Sequence, residues 1–124
     1  MSRTVLEPSV DHPITIEPTR GRVVVEVAGR VVADTTSALT LREARYQPVQ
    51  YIPMADVEGS LLEDSDHATY CPYKGDASYY SVVTDEARVD DAIWTYREPY
   101  AAVAEIAGHV AFYPDKATIT VSAD

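Results

Sequence analysis

The sequence contains a single cysteine, Cys71, among its 124 residues, so no disulfide can form within the chain. Its five glycines form no phosphate-binding loop, because Lys74 precedes Gly75 instead of following a glycine. No apolar run approaches the roughly 20 residues that a membrane-spanning helix needs, and the residues up to Pro13 show no signal-peptide pattern. These absences predict a cytoplasmic protein with no membrane partner.

Basic residues are also scarce. Ten Lys and Arg stand against 20 Asp and Glu, which gives a formal net charge of −10. The negative electrostatic field of such a charge repels phosphate backbones and anionic lipid, so no nucleic-acid partner is expected. One cysteine and three histidines are too few for the common four-ligand structural zinc sites. We therefore expect neither a metal nor another cofactor.

What the chain does have is the composition of a globular domain, with 46% hydrophobic and 24% charged residues. Val23, Val25 and Val27 recur with period two, which is typical of a half-buried strand. Turn signals recur at spacings of roughly 8 to 12 residues. The pattern predicts a mainly β fold: a single small antiparallel open barrel or tent-like sheet of about eight or nine short strands with one or two short helices.

The predicted organisation is an N-terminal arm over residues 1–13 and one β-rich domain over residues 14–124. Within the domain, apolar spacings of three and four predict a short helix or a helical loop from Met54 to Leu62. The polar segment Asp85 to Asp91 is predicted as a connection, and Pro99 is placed to begin a helix that ends before Gly108. The last predicted element is a closing hairpin; its two strands are His109–Tyr113 and Ala117–Val121.

Candidate catalytic groups cluster in the string from Thr69 to Tyr80, around a predicted turn. Lys74 could bind an anion or be a solvated turn residue, and Cys71 could be a nucleophile or a small buried hydrophobic residue. His67 lies four residues before Cys71. In a strand this separates the two by roughly 13 Å, too far for a thiol and its base.

A second candidate is the pair Asp64 and Asp66, which follows Gly59-Ser60. Nucleotidyltransferases hold two magnesium ions with a Gly-Ser and an Asp-x-Asp. Here only three residues separate the two motifs, a gap too short for the intervening helix and strand. The favoured interpretation is an acidic loop.

Tyrosine dominates the aromatic residues: there are nine, against one Trp and one Phe. A tyrosine offers an apolar ring and a polar tip, which suits a wet pocket or an interface as well as the covering of a small core. We predict that six residues bind a ligand: Tyr51, Tyr73, Lys74, Tyr79, Trp94 and Tyr96.

Four strings of the sequence also match a known family in order: Tyr51-Ile52-Pro53 through Asp56-Val57, Thr69-x-Cys71-Pro72-Tyr73-Lys74-Gly75-x-Ala77-x-Tyr79, Trp94-Thr95-Tyr96 with Pro99, and Gly108-His109-Val110-Ala111-Phe112-Tyr113-Pro114. Over about residues 14 to 121 the chain resembles domain of unknown function family 427, DUF427. The resemblance implies a small β-rich fold similar to open-barrel or tent arrangements. One name for the family implies a nucleotidyltransferase-like activity. Related tent-like folds often bind zinc through paired cysteines, which this chain lacks.

Three functional hypotheses follow. The first is a domain that binds a small molecule or peptide in a pocket lined by tyrosine, tryptophan and lysine. The second is an enzyme, either nucleotidyltransferase-like or dependent on the thiol of Cys71 with Lys74 as a further catalytic candidate. The third is an interaction module that forms a homodimer through an exposed aromatic patch.

Overall fold

The computed structural model describes residues 3–123. Over these residues the fold is mainly β, as predicted, with ten strands. In chain order the strands are β1 (Ile14–Pro18), β2 (Arg22–Val27), β3 (Arg30–Thr35), β4 (Leu39–Glu43), β5 (Val49–Pro53), β6 (Leu62–Cys71), β7 (Gly75–Val83), β8 (Arg88–Thr95), β9 (His109–Phe112) and β10 (Thr118–Ser122). Three short 3₁₀ segments complete the architecture: Met54–Asp56, Gly59–Leu61 and Ala101–Ile106.

The strands form two antiparallel sheets. The larger sheet has seven strands in the order β1-β4-β5-β9-β8-β7-β6, and the smaller has three in the order β10-β2-β3. Within residues 3–123 neither sheet closes on itself, since β1 and β6 are the two edges of the larger sheet.

Alternation along the central strands of the larger sheet gives it two apolar faces. Ile52 packs in the core shared with Val23 and Val25 of the smaller sheet, whereas Tyr51 packs in a second core with Val103 and other residues. Neighbouring residues of a strand point to opposite faces, so the two cores lie on opposite sides of the larger sheet. One face is covered by β10-β2-β3 and the other is available for a site.

The second face is partly covered by the 3₁₀ segment Ala101–Ile106. Val103 and Ile106 are fully buried there. The predicted α-helix does not form, because Val103 has non-helical dihedral angles of φ −128° and ψ 29° that divide the segment into two short turns. Its apolar residues still pack onto the sheet as expected for a covering element.

The predicted closing hairpin is wrong. β9 pairs with β5 and β8 in the larger sheet, whereas β10 pairs with β2 in the smaller sheet. The burial of the two strands explains the difference: Val110, Ala111 and Phe112 are all buried, as a central strand requires. β10 is mostly exposed and suits a sheet edge. The turn between them therefore connects two sheets.

The acidic loop is also wrong, since Asp64, Ser65 and Asp66 lie within β6. This edge strand is irregular: its register with β7 shifts between Asp64 and Ala68. Charged side chains are tolerated on an edge strand because one side of it faces water.

Three other elements differ from the prediction. β1 was not predicted, β8 begins inside the predicted connection, and the predicted helix after Pro53 is two 3₁₀ turns.

Residues 3–13 precede β1 and lie against the turn between β6 and β7. Arg3 forms a two-point ion pair with Asp76 and places its guanidinium 3.7 Å from the ring centre of Tyr70. The Leu6 amide donates to the Pro72 carbonyl at 3.0 Å.

Within residues 3–123 there is no helix with the length and apolar character needed to cross a bilayer.

Candidate functional site

A cavity of about 200 Å³ opens on the second face of the larger sheet. Its wall combines one ion pair with six aromatic rings. The lining residues are Leu41, Glu43, Tyr46, Gln47, Val49, Tyr51, Lys74, Tyr79, Trp94, Tyr96 and Tyr113. Five of the six predicted ligand-binding residues are therefore brought to one cavity from four different segments. The sixth, Tyr73, does not line it.

Lys74 reaches the cavity from the tight turn between β6 and β7. Its amide donates to the Cys71 carbonyl at 3.2 Å, and its carbonyl accepts from the Tyr100 amide at 3.0 Å. The next residue, Gly75, has a φ of +111°, a conformation that residues with a Cβ rarely adopt. This backbone turns the lysine inward, so that only 7% of Lys74 is exposed. It is not a solvated turn residue.

The ammonium of Lys74 is paired with the carboxylate of Glu43 on β4. One Glu43 oxygen, Oε1, accepts from Lys74, and the other, Oε2, accepts from His12 Nε2 at 2.8 Å. Burial alone would raise the pKa of Glu43, but the hydrogen bonds from Lys74 and His12 outweigh it and hold the pKa below its ordinary value of 4.5. Glu43 is therefore ionised near neutral pH, and each of its oxygens accepts one hydrogen bond.

His12 connects the N-terminal segment to this pair. Its ring stacks on Tyr73, with ring centres 4.1 Å apart and planes 3° from parallel. A carboxylate only accepts hydrogen bonds, so Nε2 of His12 carries the hydrogen of the bond to Glu43. Tyr73 thus lies behind the ion pair and supports it through His12, outside the cavity.

Trp94 and Tyr51 form one corner of the aromatic wall. The indole Nε1 of Trp94 donates to the Tyr51 hydroxyl at 3.2 Å, and the two rings meet edge to face. Trp94 also lies 4.5 Å from Tyr113, measured between ring centres. Burial raises the pKa of Tyr51, so this phenol remains protonated near neutral pH.

Tyr79 and Tyr113 form a second corner. The Tyr113 hydroxyl donates to the Tyr79 hydroxyl at 3.3 Å, and the latter also bonds to Thr69 Oγ1 at 2.8 Å. The two rings are nearly parallel, with centres 6.4 Å apart. The hydrogen bonds fix these phenols to each other and to β6, so their hydroxyls serve to hold the wall in place.

Tyr96 differs from the other phenols. No hydrogen bond to its hydroxyl is found within residues 3–123, although the residue is only 8% exposed. In the same part of the chain, no fully buried side-chain nitrogen or oxygen lacks a partner. The hydroxyl of Tyr96 must therefore keep contact with solvent, which reaches this buried ring through the cavity it lines. Burial raises the pKa of Tyr96, so it too is a neutral donor.

The catalytic candidate Cys71 is half-buried beside the cavity, not among its lining residues. Its Sγ lies 3.8 Å from Lys74 Nζ. His67 is on the same strand, and its ring lies against Tyr79, with centres 4.4 Å apart. The Cys71 thiol therefore lies beside the Lys74 ammonium, whereas the His67 imidazole lies against Tyr79.

Asp64 and Asp66 are exposed on β6 and are not among the residues that line the cavity. Between them, the Ser65 hydroxyl donates to Asp91. Within residues 3–123, no group of three or more His, Cys, Asp or Glu is arranged to hold a metal ion.

Sequence reasoning missed Glu43, Tyr46 and Tyr113. Glu43 carried a signal, since it follows Leu39 and Leu41 at period two and so falls on the apolar face of its strand. A carboxylate at such a position needs a buried partner. Tyr46 lies three residues after the end of β4 and Tyr113 directly after β9, and no local pattern distinguishes them.

The fold and the cavity define a mainly β protein with an aromatic hollow on one face of its larger sheet. A family model described as a domain of unknown function, DUF427, matches residues 15–123. The chain therefore belongs to the DUF427 family, as its sequence strings predicted. A comparison with curated proteins gives no match.

Proposed function

We propose that this DUF427 protein binds a small molecule in the cavity beside Lys74. The observation that carries the proposal is a buried, ion-paired lysine on the wall of an aromatic hollow. Aromatic walls with a few placed polar groups are typical of ligand sites.

The energetics of the ion pair support a functional role. Removing two charges from water costs several kcal/mol for each ion, and apolar residues of similar volume are often at least as stable in their place. Glu43 and Lys74 expose only 14% and 8% of their side chains. A pair kept at that cost beside a cavity is better explained by recognition than by stability alone.

The size of the cavity indicates the size of the ligand. Sites for drug-sized molecules measure about 300–1,000 Å³, whereas an apolar cavity of about 150 Å³ holds benzene. At about 200 Å³ the cavity suits one ring with a small substituent. This volume favours a small metabolite over a peptide or a nucleoside triphosphate.

The test is a screen of single-ring compounds by ligand-observed NMR, with a variant that fills the cavity. Val49 lines the cavity, so Val49→Trp should abolish the signals of compounds that bind there. Val31→Trp is the matched control, because Val31 is 48% exposed and lies outside the lining. We expect hits that survive Val31→Trp and disappear in Val49→Trp.

Either of two results would reject the proposal. One is a screen without any hit on the folded wild-type protein. The other is a set of hits that Val49→Trp and Val31→Trp affect equally, which would place binding elsewhere on the surface.

A further inference from the structure

Some polar groups on the cavity wall already form hydrogen bonds within the protein, and others keep a free donor hydrogen. Both oxygens of Glu43, the one carboxylate on the wall, accept hydrogen bonds from the protein's own donors. On the buried part of the wall, three donors keep a hydrogen that no hydrogen bond within residues 3–123 uses: the hydroxyls of Tyr51 and Tyr96 and the ammonium of Lys74. Tyr46 and Gln47, which also line the cavity, are exposed. Among these buried groups a ligand meets three free donors, whereas each oxygen of the Glu43 carboxylate already accepts one hydrogen bond.

Tyr51 is a donor because of its neighbour. Trp94 Nε1 is only a donor, so in the bond between them the Tyr51 oxygen accepts and its own hydrogen is not used. Within residues 3–123 no acceptor for that hydrogen is found. Tyr51 is 1% exposed, so the ring itself cannot turn its hydroxyl out to bulk water.

Tyr96 contributes the second donor, since its unpaired hydroxyl meets solvent through the cavity. Lys74 contributes the third. Its ammonium has three hydrogens, of which one bonds Glu43 and one faces Cys71 Sγ at 3.8 Å. The third N–H has no partner within residues 3–123, which leaves it for a ligand.

We propose that the ligand is a flat, single-ring molecule that presents a carbonyl or carboxylate oxygen to Tyr51, Tyr96 and Lys74. The rings of Trp94 and Tyr113 contact its faces or edges. An amine ligand is disfavoured, because its hydrogens would meet the three donors, and the Glu43 carboxylate is already paired with Lys74 and His12. This inference rests on the proposed function and specifies its ligand class.

The test compares three compounds of one size on the full chain: benzoate, benzamide and benzylamine. Trp94 is the only tryptophan and lines the cavity, so its fluorescence reports binding at this site. We expect benzoate or benzamide to bind at least tenfold more tightly than benzylamine. Benzoate above benzamide would assign a carboxylate ligand, and the reverse order a neutral carbonyl.

Two variants test the donors directly. Tyr51→Phe and Tyr96→Phe each remove one hydroxyl. Each should raise the Kd of the preferred compound about tenfold, which corresponds to about 1.4 kcal/mol of binding free energy. Tyr80→Phe is the matched control. Tyr80 packs on the opposite face of β7 and bonds Arg97, so this change should leave affinity unaltered.

The outcomes separate the two proposals. Benzylamine binding as tightly as the others, or Phe variants at full affinity, would overturn the donor assignment and leave a ligand-binding cavity. If none of the three binds while the single-ring screen gives hits that Val49→Trp removes, only the donor assignment fails; a screen without any hit rejects both proposals. The ranking of the compounds is measured on the wild-type protein, so it decides the question even if a variant does not fold.

Discussion

His12 Nε2 and Glu43 Oε2 lie 2.8 Å apart, which joins the segment before β1 to the wall of the cavity. Through Glu43 the contact extends to Lys74, so three groups distant in sequence form one network. A buried ion pair is most sensitive to the loss of one partner, because the charge of the other is then left uncompensated. That property leads to the first prediction.

Lys74→Met should destabilise the protein by about 3 kcal/mol, since Glu43 then remains as a largely buried carboxylate with only His12 as partner. The double variant Lys74→Met/Glu43→Leu should lose less than the sum of the two single changes, by about 1 kcal/mol or more. Urea denaturation followed by circular dichroism measures each value. The exposed pair of Arg22 and Asp34 is the control, and Arg22→Met should hardly change the midpoint. Additive single effects would contradict the network.

The acid dependence of stability should carry the signature of Glu43. Its pKa is lowered in the folded protein, so its stabilisation is complete above the ordinary value of 4.5 and is lost as the pH falls through the lower native pKa. Glu43→Gln imitates the protonated form. The difference in unfolding free energy between wild type and Glu43→Gln should therefore be constant near neutral pH and narrow below pH 4.5. A difference that stays constant into acid would show that the ionised form is not stabilised.

Asp76→Asn is the control for that measurement. The pKa of Asp76 is also lowered, through its hydrogen bond to Arg3, but 68% of its side chain is exposed. Water screens such a pair, so this variant should track the wild-type pH profile closely.

The strands with regular alternation were predictable from the sequence, and the sheet order was not. Val23, Val25 and Val27 are all buried on one side of β2, as period two requires. β9 and β10 were each recognisable, but their pairing depends on distant strands. Sequence neighbours usually pair in antiparallel folds, and here that rule failed because β9 completes a central position of the larger sheet.

The candidate site shows the same division. Tyr51, Lys74 and Trp94 were recognisable by residue type, and the fold brings them to one cavity. Their partners Glu43 and His12 were not recognisable from the sequence. Glu43 and Lys74 are 31 residues apart in the chain, and so are His12 and Glu43. Such contacts are consequences of topology and leave no local pattern.

At alkaline pH the buried phenols should limit stability. Burial raises the pKa of Tyr51 and of Tyr96 above the ordinary value of 10.0. The unfolded chain therefore releases these protons first, so stability is unaffected below pH 10.0 and falls as the pH rises beyond it. Phenolate absorbance should show a fraction of tyrosines that ionise only when circular dichroism reports unfolding. Complete ionisation of a still folded protein would contradict this, and Tyr51→Phe should make the alkaline loss shallower.

The turn that places Lys74 should be sensitive to its glycine. Gly75→Ala forces a residue with a Cβ to adopt a φ of +111°, which should cost about 1–3 kcal/mol. The cost is conformational, because the nearest atom to the added Cβ, the Glu98 carbonyl oxygen, is at an ordinary contact distance of 3.5 Å. Gly59→Ala is the matched control: an added Cβ there meets nothing within 4 Å and the backbone is unstrained, so stability should be unchanged or slightly higher.

Because relaxation of the strained turn displaces Lys74, the Gly75→Ala protein should also bind ring compounds more weakly than Gly59→Ala does, as measured by Trp94 fluorescence. Equal stability and equal binding in the two variants would show that the turn does not position the lysine.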